Sequence, residues 1–235
     1  MKGMLETALA NPWDTLRTVL DGPLHPGGRE ATETLLDRAE VRAGTRLVDV
    51  GCGAGESVEV ARDRGADAVG LDRDQTAPGA VRGDMTRLPF RDESVEVVLA
   101  ECVMCLASNR EQALAEAHRI LEPGGFLAVS DVVVADSIPD LPQPMVRALC
   151  LQNAQSRTAM VSEIDAARFV VEDVQDHRKD LIAMRDQIAD KINYESMLGL
   201  MGERGARILD GIHDTEEAVE DGRISYVSVV AQREK

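Results

Sequence analysis

No apolar stretch in this sequence approaches the ~20 residues that a membrane-crossing helix needs. Even the run from Val97 to Ala107 is broken by Glu101. The amino-terminal stretch MKGMLETALANPWD has Glu6 where a signal peptide would carry its apolar core. A membrane partner is therefore not expected, and the expected location is the cytoplasm. Lysine is scarce: Lys2, Lys179, Lys191 and Lys235 are the whole set, and every other basic residue is arginine. Cysteine is scarce as well. Cys52, Cys102, Cys105 and Cys150 are too few and too scattered for a disulfide framework and read as free thiols. Zinc-ligand spacing is also lacking, so no structural metal is expected. There is no internal repeat and no low-complexity tract.

Acidic residues dominate what remains, with 42 Asp and Glu against 26 Lys and Arg and a formal charge of −16. Such a surface repels a polyphosphate backbone, so nucleic acid is a poor candidate partner. An acid-rich, lysine-poor surface suits a protein that works in concentrated salt, where the Debye length falls to about 3 Å at 1 M. An ordinary acidic bacterial enzyme is the rival reading. At 235 residues and 44% hydrophobic content, a single globular domain burying roughly 70–75% of its unfolded surface is expected.

Residues 1–45 read as an amino-terminal lid and helix. The arm around Gly22-Pro23-Leu24-His25-Pro26-Gly27-Gly28 is too rich in proline and glycine for regular structure, and Arg29–Glu40 has helical spacing. Strand-like and helix-like runs then alternate: Arg46–Val50, Val58–Arg64, Ala68–Leu71, Val95–Ala100, Arg110–Leu121, a turn at Glu122-Pro123-Gly124-Gly125, and Phe126–Val129. That alternation indicates βαβ units, hence an α/β fold with a mainly parallel sheet covered on both faces. In the third part, 136–235, Met145–Gln155 reads as a helix, and Phe169–Val174 and Ser225–Ala231 as two late strands. Between those strands lies a helical insertion with stripes at Leu181, Met184, Ile188 and Ile192 and at Ile208, Leu209 and Ile212. Asp214-Thr215-Glu216-Glu217 has the pattern of a capped helix start.

The strongest local signal is Leu47-Val48-Asp49-Val50-Gly51-Cys52-Gly53-Ala54-Gly55, after a strand and ahead of a helix. Three glycines allow a sharp turn and close approach of backbone to a ligand. Glu56 at the helix entrance and Asp49 before the loop are poorly placed for a pyrophosphate. A cationic ligand suits the loop better. This run resembles the first motif of the class I S-adenosylmethionine-dependent methyltransferases, and further signatures follow in order. Asp72, with Arg73 beside it, ends the second strand seventeen residues after Gly55. Gly83-Asp84-Met85 lies at the exit expected for the third strand, and Glu122-Pro123-Gly124-Gly125 precedes the fifth. The resemblance covers roughly residues 44 to 135. It implies a Rossmann-like seven-stranded sheet over residues 46–135 and beyond, with S-adenosylmethionine as cofactor. It further implies Asp49, Gly51, Cys52, Gly53 and Gly55 at the methionine end, Asp72 and Arg73 at the ribose, Asp84 and Met85 at the adenine, and Glu101 and Cys102 beside the methyl group.

Methyl transfer from a sulfonium is an in-line displacement, so the protein mainly holds a nucleophile about 3–3.5 Å from the methyl carbon and excludes water. Cys102 follows the fourth strand, and Cys150 lies after the fifth. That pair resembles the arsenite methyltransferases, in which thiolates at these places bind trivalent arsenic. The resemblance makes Cys102 and Cys150 candidate acceptor-binding residues and implies a soft acceptor such as trivalent arsenic or a thiol. No cysteine precedes Cys52 here, and Gln152-Asn153 departs from the pattern. The competing readings are buried packing thiols, a redox pair, and a carbon or oxygen acceptor of the quinone-precursor type. A cofactor-binding regulator without turnover and a nucleotide-dependent oxidoreductase are also open. His25 is the third catalytic candidate, His177 a weaker one within reach of the acceptor, and Trp13 a possible member of the lid.

Overall fold

The computed structural model describes residues 16–18, 20, 23–74 and 77–234. Trp13 lies outside them, as does most of the expected lid. Helix α1 (Gly28–Arg38) packs on the first crossover. Strand β1 (Arg46–Val50) leads through the glycine loop into α2 (Glu56–Asp63), followed by β2 (Asp67–Asp72) and a short β3 (Val81–Arg82). Strand β4 (Val95–Glu101), a single 3₁₀ turn at Met104–Leu106 and α3 (Arg110–Ile120) precede β5 (Leu121–Val134). Next come α4 (Gln143–Ala148), α5 (Arg157–Ala166) and β6 (Phe169–Asp176). Helices α6 (Arg178–Lys191), α7 (Tyr194–Gly199) and α8 (Glu203–Glu220) then lead to β7 (Ile224–Arg233).

The seven strands form one sheet in the order β3-β2-β1-β4-β5-β7-β6. Pairings from β3 across to β5 are parallel, and β7 runs antiparallel to both β5 and β6. The central strands are buried on both faces, and their sequences read accordingly as near-continuous aliphatic runs such as Val97-Val98-Leu99. Each such side chain contributes about 1.5–3 kcal/mol through burial. Order reverses between β1 and β4, and at that switch point the carboxyl ends of the strands open a crevice.

Three expectations need correction. Met145–Gln155 is not one helix: α4 stops at Ala148, because Cys150 takes a left-handed backbone conformation (φ 57°) that a helix cannot continue through. Asp214 does not start a helix. It lies inside α8, where the Thr215 hydroxyl donates to the carbonyl of Gly211 (2.7 Å) and leaves the backbone ladder to run on. Helix α5, missed in the sequence, starts at Ser156, whose side chain accepts from the Ala159 N–H. Glu122–Gly125 forms an excursion within β5, seen as the register jump from Val95–Leu121 to Val97–Phe126.

Candidate cofactor and acceptor site

The glycine loop hangs on β2. The N–H groups of Gly51 and Cys52 both donate to the carbonyl of Leu71, at 2.7 and 3.1 Å, and the Gly55 N–H closes a turn onto Cys52. Gly51 has φ 79°, and a Cβ there would stand 2.3 Å from Cγ2 of Val103, so the loop approaches the β4 exit too closely for any side chain. Asp72 braces the loop from the end of β2: its carboxylate accepts from the N–H of Gly53 (3.0 Å) and of Asp74 (2.9 Å). Cys52 points away from the crevice and packs where a Cβ on Gly70 would be. Burial, with Asp49 and Asp72 nearby, pushes its thiol up to about 12.

Beneath the loop lies a buried acidic centre. Asp49 is 3% exposed, and its Oδ2 has no hydrogen-bond partner. Burial first, then the carboxylates of Glu101, Asp72 and Glu56, raise its pKa well above the ordinary range. Glu101, at the end of β4, accepts from Ser57 (2.7 Å) and Thr32 (3.1 Å), and Nε2 of His25 stands 3.6 Å away. An ammonium or sulfonium placed here would satisfy the orphaned oxygen and relieve the mutual repulsion of the carboxylates. The residues present therefore fit a cationic ligand. At the outer wall Asp84 accepts from the Thr86 hydroxyl (2.7 Å) and N–H, and pairs with Arg73 (2.7 Å). Those bonds hold its pKa below the ordinary carboxylate range. Met85 is buried, 8% exposed, in the same core cluster as Leu71 and Leu88.

Beyond β4 a cavity of about 310 Å³ opens. Leu24, Pro26, Cys102, Met145 and Leu149 line it on one side, and apolar residues of the helical insertion, among them Leu181, Ile188, Leu198, Ile208 and Ile212, on the other. Its few polar liners are already engaged: Tyr194 donates to Glu216 (2.7 Å), Thr215 donates to Gly211, and Arg185 pairs with Asp186 and Glu220. At the cavity wall Cys102 and Cys150 come together. The Cys150 thiol donates to the carbonyl (3.1 Å) and to Sγ of Cys102 (3.2 Å), although 48 residues separate the two. Asp131 completes a cluster in which one ligand atom each of Cys102, Cys150 and Asp131 lies within 4.8 Å of the others. Burial raises the Asp131 carboxyl to about 6, against the pull of the Cys105 and Val132 N–H groups. Hydrogen bonds to Cys102 and Cys105, then burial, raise the Cys150 thiol well above its ordinary value. For Cys102 the Cys150 hydrogen bond favours the thiolate, but burial and the Asp131 and Glu101 carboxylates outweigh it and leave the pKa raised.

The profile of the Methyltransferase domain family matches residues 48–129. The same region holds the glycine loop, the acidic centre and the strand exits that carry the site. Over these residues the chain resembles a class I S-adenosylmethionine-dependent methyltransferase domain. Among curated proteins, the chain is 34% identical over 152 residues to the methyltransferase GfsG of Streptomyces halstedii, covering 57% of this chain and 55% of that one. It is 28% identical over 173 residues to the arsenite methyltransferase of Halobacterium salinarum, covering 65% and 44% respectively. The chain thus spans about half the length of these relatives. Among solved structures, the cyclase SpnF superposes with a TM-score of 0.71 at 21% identity, covering 97% of this chain and 92% of that one. A geranyl diphosphate methyltransferase in complex with S-adenosylmethionine superposes at 0.66, with 21% identity and 88% and 85% coverage. No described helix of the chain is long and apolar enough to cross a membrane.

The structure brings His25 to Glu101 and Cys102 to Cys150, but His177 does not reach the cavity that Cys102 lines. Its Nε2 instead meets the Ser228 hydroxyl (2.7 Å) on the α1 side of the sheet. His118 stacks edge-on against Phe169, and His213 is half exposed beside Glu195. Thr32, Ser57 and Asp131 were not singled out in the sequence. Asp131 carried one usable signal, a lone acid inside the aliphatic run Phe126–Val134. Thr32 and Ser57 carried none, because a hydroxyl on a helix is ordinarily solvated.

Proposed function

We propose that this chain methylates a small, largely apolar molecule seated in the 310 Å³ cavity. The observation that carries the reading is the lining: an apolar chamber whose few polar groups are already paired, with Cys102, next to Glu101, at its wall. Such a chamber offers a charged acceptor no unpaired partner and penalises its desolvation.

In this reading, residues 46–135 hold the cofactor, and the arm together with 136–235 holds the acceptor. S-adenosylmethionine supplies an electrophilic methyl carbon on a sulfonium. Asp49 and the backbone of Gly51, Gly53 and Gly55 receive its methionine end, and Asp72 its ribose hydroxyls. Asp84 and Met85 border the adenine. Glu101, held by Ser57 and Thr32, presents a negative field beside the sulfonium. His25 is flanked by the cavity-lining Leu24 and Pro26 and turns its ring toward Thr32 (3.2 Å) and Glu101, so it acts as a positioning residue for that carboxylate. Cys102 and the apolar walls orient the acceptor and exclude water, which supplies most of what an in-line displacement requires.

A second reading rests on the Cys102–Cys150 contact: a soft acceptor bound by both thiols. Neutral thiols suit trivalent arsenic, because an arsenic trihydroxide and two thiols form two S–As bonds and release two waters without net charge. The acidic, lysine-poor surface further supports function in concentrated salt, and the expected location is the cytoplasm.

Incubation with methyl-labelled S-adenosylmethionine and a panel of isoprenoid alcohols, quinone precursors, simple thiols and arsenite tests the proposal. Label should pass to an apolar member, and Leu198→Trp, which fills the cavity, should reduce that transfer. Transfer to polar acceptors alone, unaffected by Leu198→Trp, would overturn the apolar reading.

A further inference from the structure

The apolar chamber has a polar edge, and the helical insertion supplies it. On α8 the acids Glu203, Asp210, Asp214, Glu217 and Glu220 are exposed, whereas Glu216 faces the cavity. It shares that face with Ile212, a turn before it, and Val219, a turn after it, both of which line the cavity. A carboxylate on an apolar wall is costly unless it is hydrogen-bonded. Tyr194, at the start of α7, donates its hydroxyl to Oε1 of Glu216 at 2.7 Å. Oε2 has no such donor among the described residues.

The groups around this pair present acceptors and no spare donor. Burial first, then the hydrogen bond and charge of Glu216, push the Tyr194 hydroxyl up to about 12, so its proton stays in place and is spent on Glu216. Thr215 spends its own on the Gly211 carbonyl. The guanidinium of Arg185 is divided between Asp186 and Glu220. A carbonyl, ether, carboxylate or phosphate therefore meets no free donor here, while a hydroxyl meets an open oxygen. An ammonium could also donate, but Arg185 lies close enough to act on Tyr194 and repels a second cation. We propose that the cavity takes an apolar acceptor carrying a neutral hydroxyl, which donates to Oε2 of Glu216 while the hydrocarbon body lies against the aliphatic wall. Glu216 is then a specificity-determining residue, because an acceptor without the hydroxyl strips water from that oxygen and gives it no partner.

This inference rests on the apolar-chamber reading, and matched probes separate the two. Octanol and its isomer heptyl methyl ether contain the same atoms, but only the alcohol can donate. Each is titrated against the full chain loaded with prodan, a neutral naphthalene ketone without a donor, whose fluorescence reports occupancy of the cavity. Octanol should displace prodan at roughly ten- to a hundredfold lower concentration than the ether, the scale of a hydrogen bond to a carboxylate. Glu216→Leu should bring the two isomers within about twofold of each other, the scatter of an ordinary substitution, while prodan stays bound. Glu216→Gln, which keeps the side-chain shape, should remove part of the preference. Equal displacement by both isomers in the unaltered chain, a preference unchanged by either substitution, or tighter binding of octylamine than of octanol would overturn the hydroxyl assignment. Failure of the unaltered chain to bind prodan or either isomer would instead overturn the apolar chamber, and this inference with it.

Discussion

The thiol of Cys150 lies 3.2 Å from the sulfur of Cys102, with both residues in left-handed backbone conformations, φ 57° and 54°. That conformation costs a residue other than glycine about 1–2 kcal/mol, so the surrounding packing, not local preference, holds the sulfurs together. A bifunctional trivalent arsenical such as phenylarsine oxide should therefore bind one equivalent per chain. Cys102→Ser or Cys150→Ser should each abolish tight binding, read by mass spectrometry of the intact protein. Retention of tight binding in either variant would remove the thiol pair as a soft-acceptor site.

Asp49 gives the cofactor crevice a pH signature. Burial, then Glu101, Asp72 and Glu56, raise its folded pKa, which favours the neutral acid in the free protein. An ammonium beside it favours the ionised form. Binding of S-adenosylhomocysteine should release protons, and affinity should increase as pH rises toward that raised pKa. Calorimetry in buffers of different ionisation enthalpy measures the release. Asp49→Asn should bind more weakly and release fewer protons; an unchanged proton count would place the linkage elsewhere.

Asp131 affects stability through the same physics. Burial pushes its carboxyl up to about 6 in the fold, from an ordinary 3.8. The folded chain binds the extra proton, so this contribution is complete below about pH 4 and is lost as pH rises through about 6. The shift corresponds to about 3 kcal/mol. Asp131→Asn should flatten the stability profile between about pH 4 and 6 relative to the parent chain, as followed by denaturant titration at each pH. Parallel profiles would show that the carboxylate is not desolvated as described.

Gly51 is constrained twice, by φ 79° and by Val103 at 2.3 Å from a would-be Cβ. Gly51→Ala should cost about 2–5 kcal/mol, from the left-handed penalty plus overpacking, and should lower cofactor affinity. An unaltered urea midpoint would mean that the loop adopts another conformation.

The charge of −16 should make stability depend on salt. Thermal midpoints are expected to rise between millimolar and molar potassium chloride as self-repulsion is screened. A midpoint independent of salt would remove the adaptation to concentrated salt.

Much of the fold was legible in the linear chain because its signals are local. The Arg46–Val50 strand, the glycine loop and the Arg110 helix start each depend on residues adjacent to them, and Asp72 follows the loop at a spacing set by one helix and one strand. The helical insertion between the last two strands was likewise visible as apolar stripes. Helix ends fared worse. The Asp214 cap pattern was overridden by a continuing backbone ladder, and the end of α4 depends on the left-handed Cys150, whose conformation no sequence preference signals.

What the sequence determined by itself was the nature of the binding crevice: glycines that expose backbone, and acids that suit a positive ligand. Only the tertiary structure decided which distant residues meet there. Cys102 and Cys150 are 48 positions apart, and Glu101 lies 69 from Thr32 and 44 from Ser57. Packing of the insertion against β7 also decided that the cavity beside Cys102 is apolar. Local sequence specifies dihedral angles and periodicity, whereas contacts at such separations arise from burial of the whole sheet, which no short window of residues encodes.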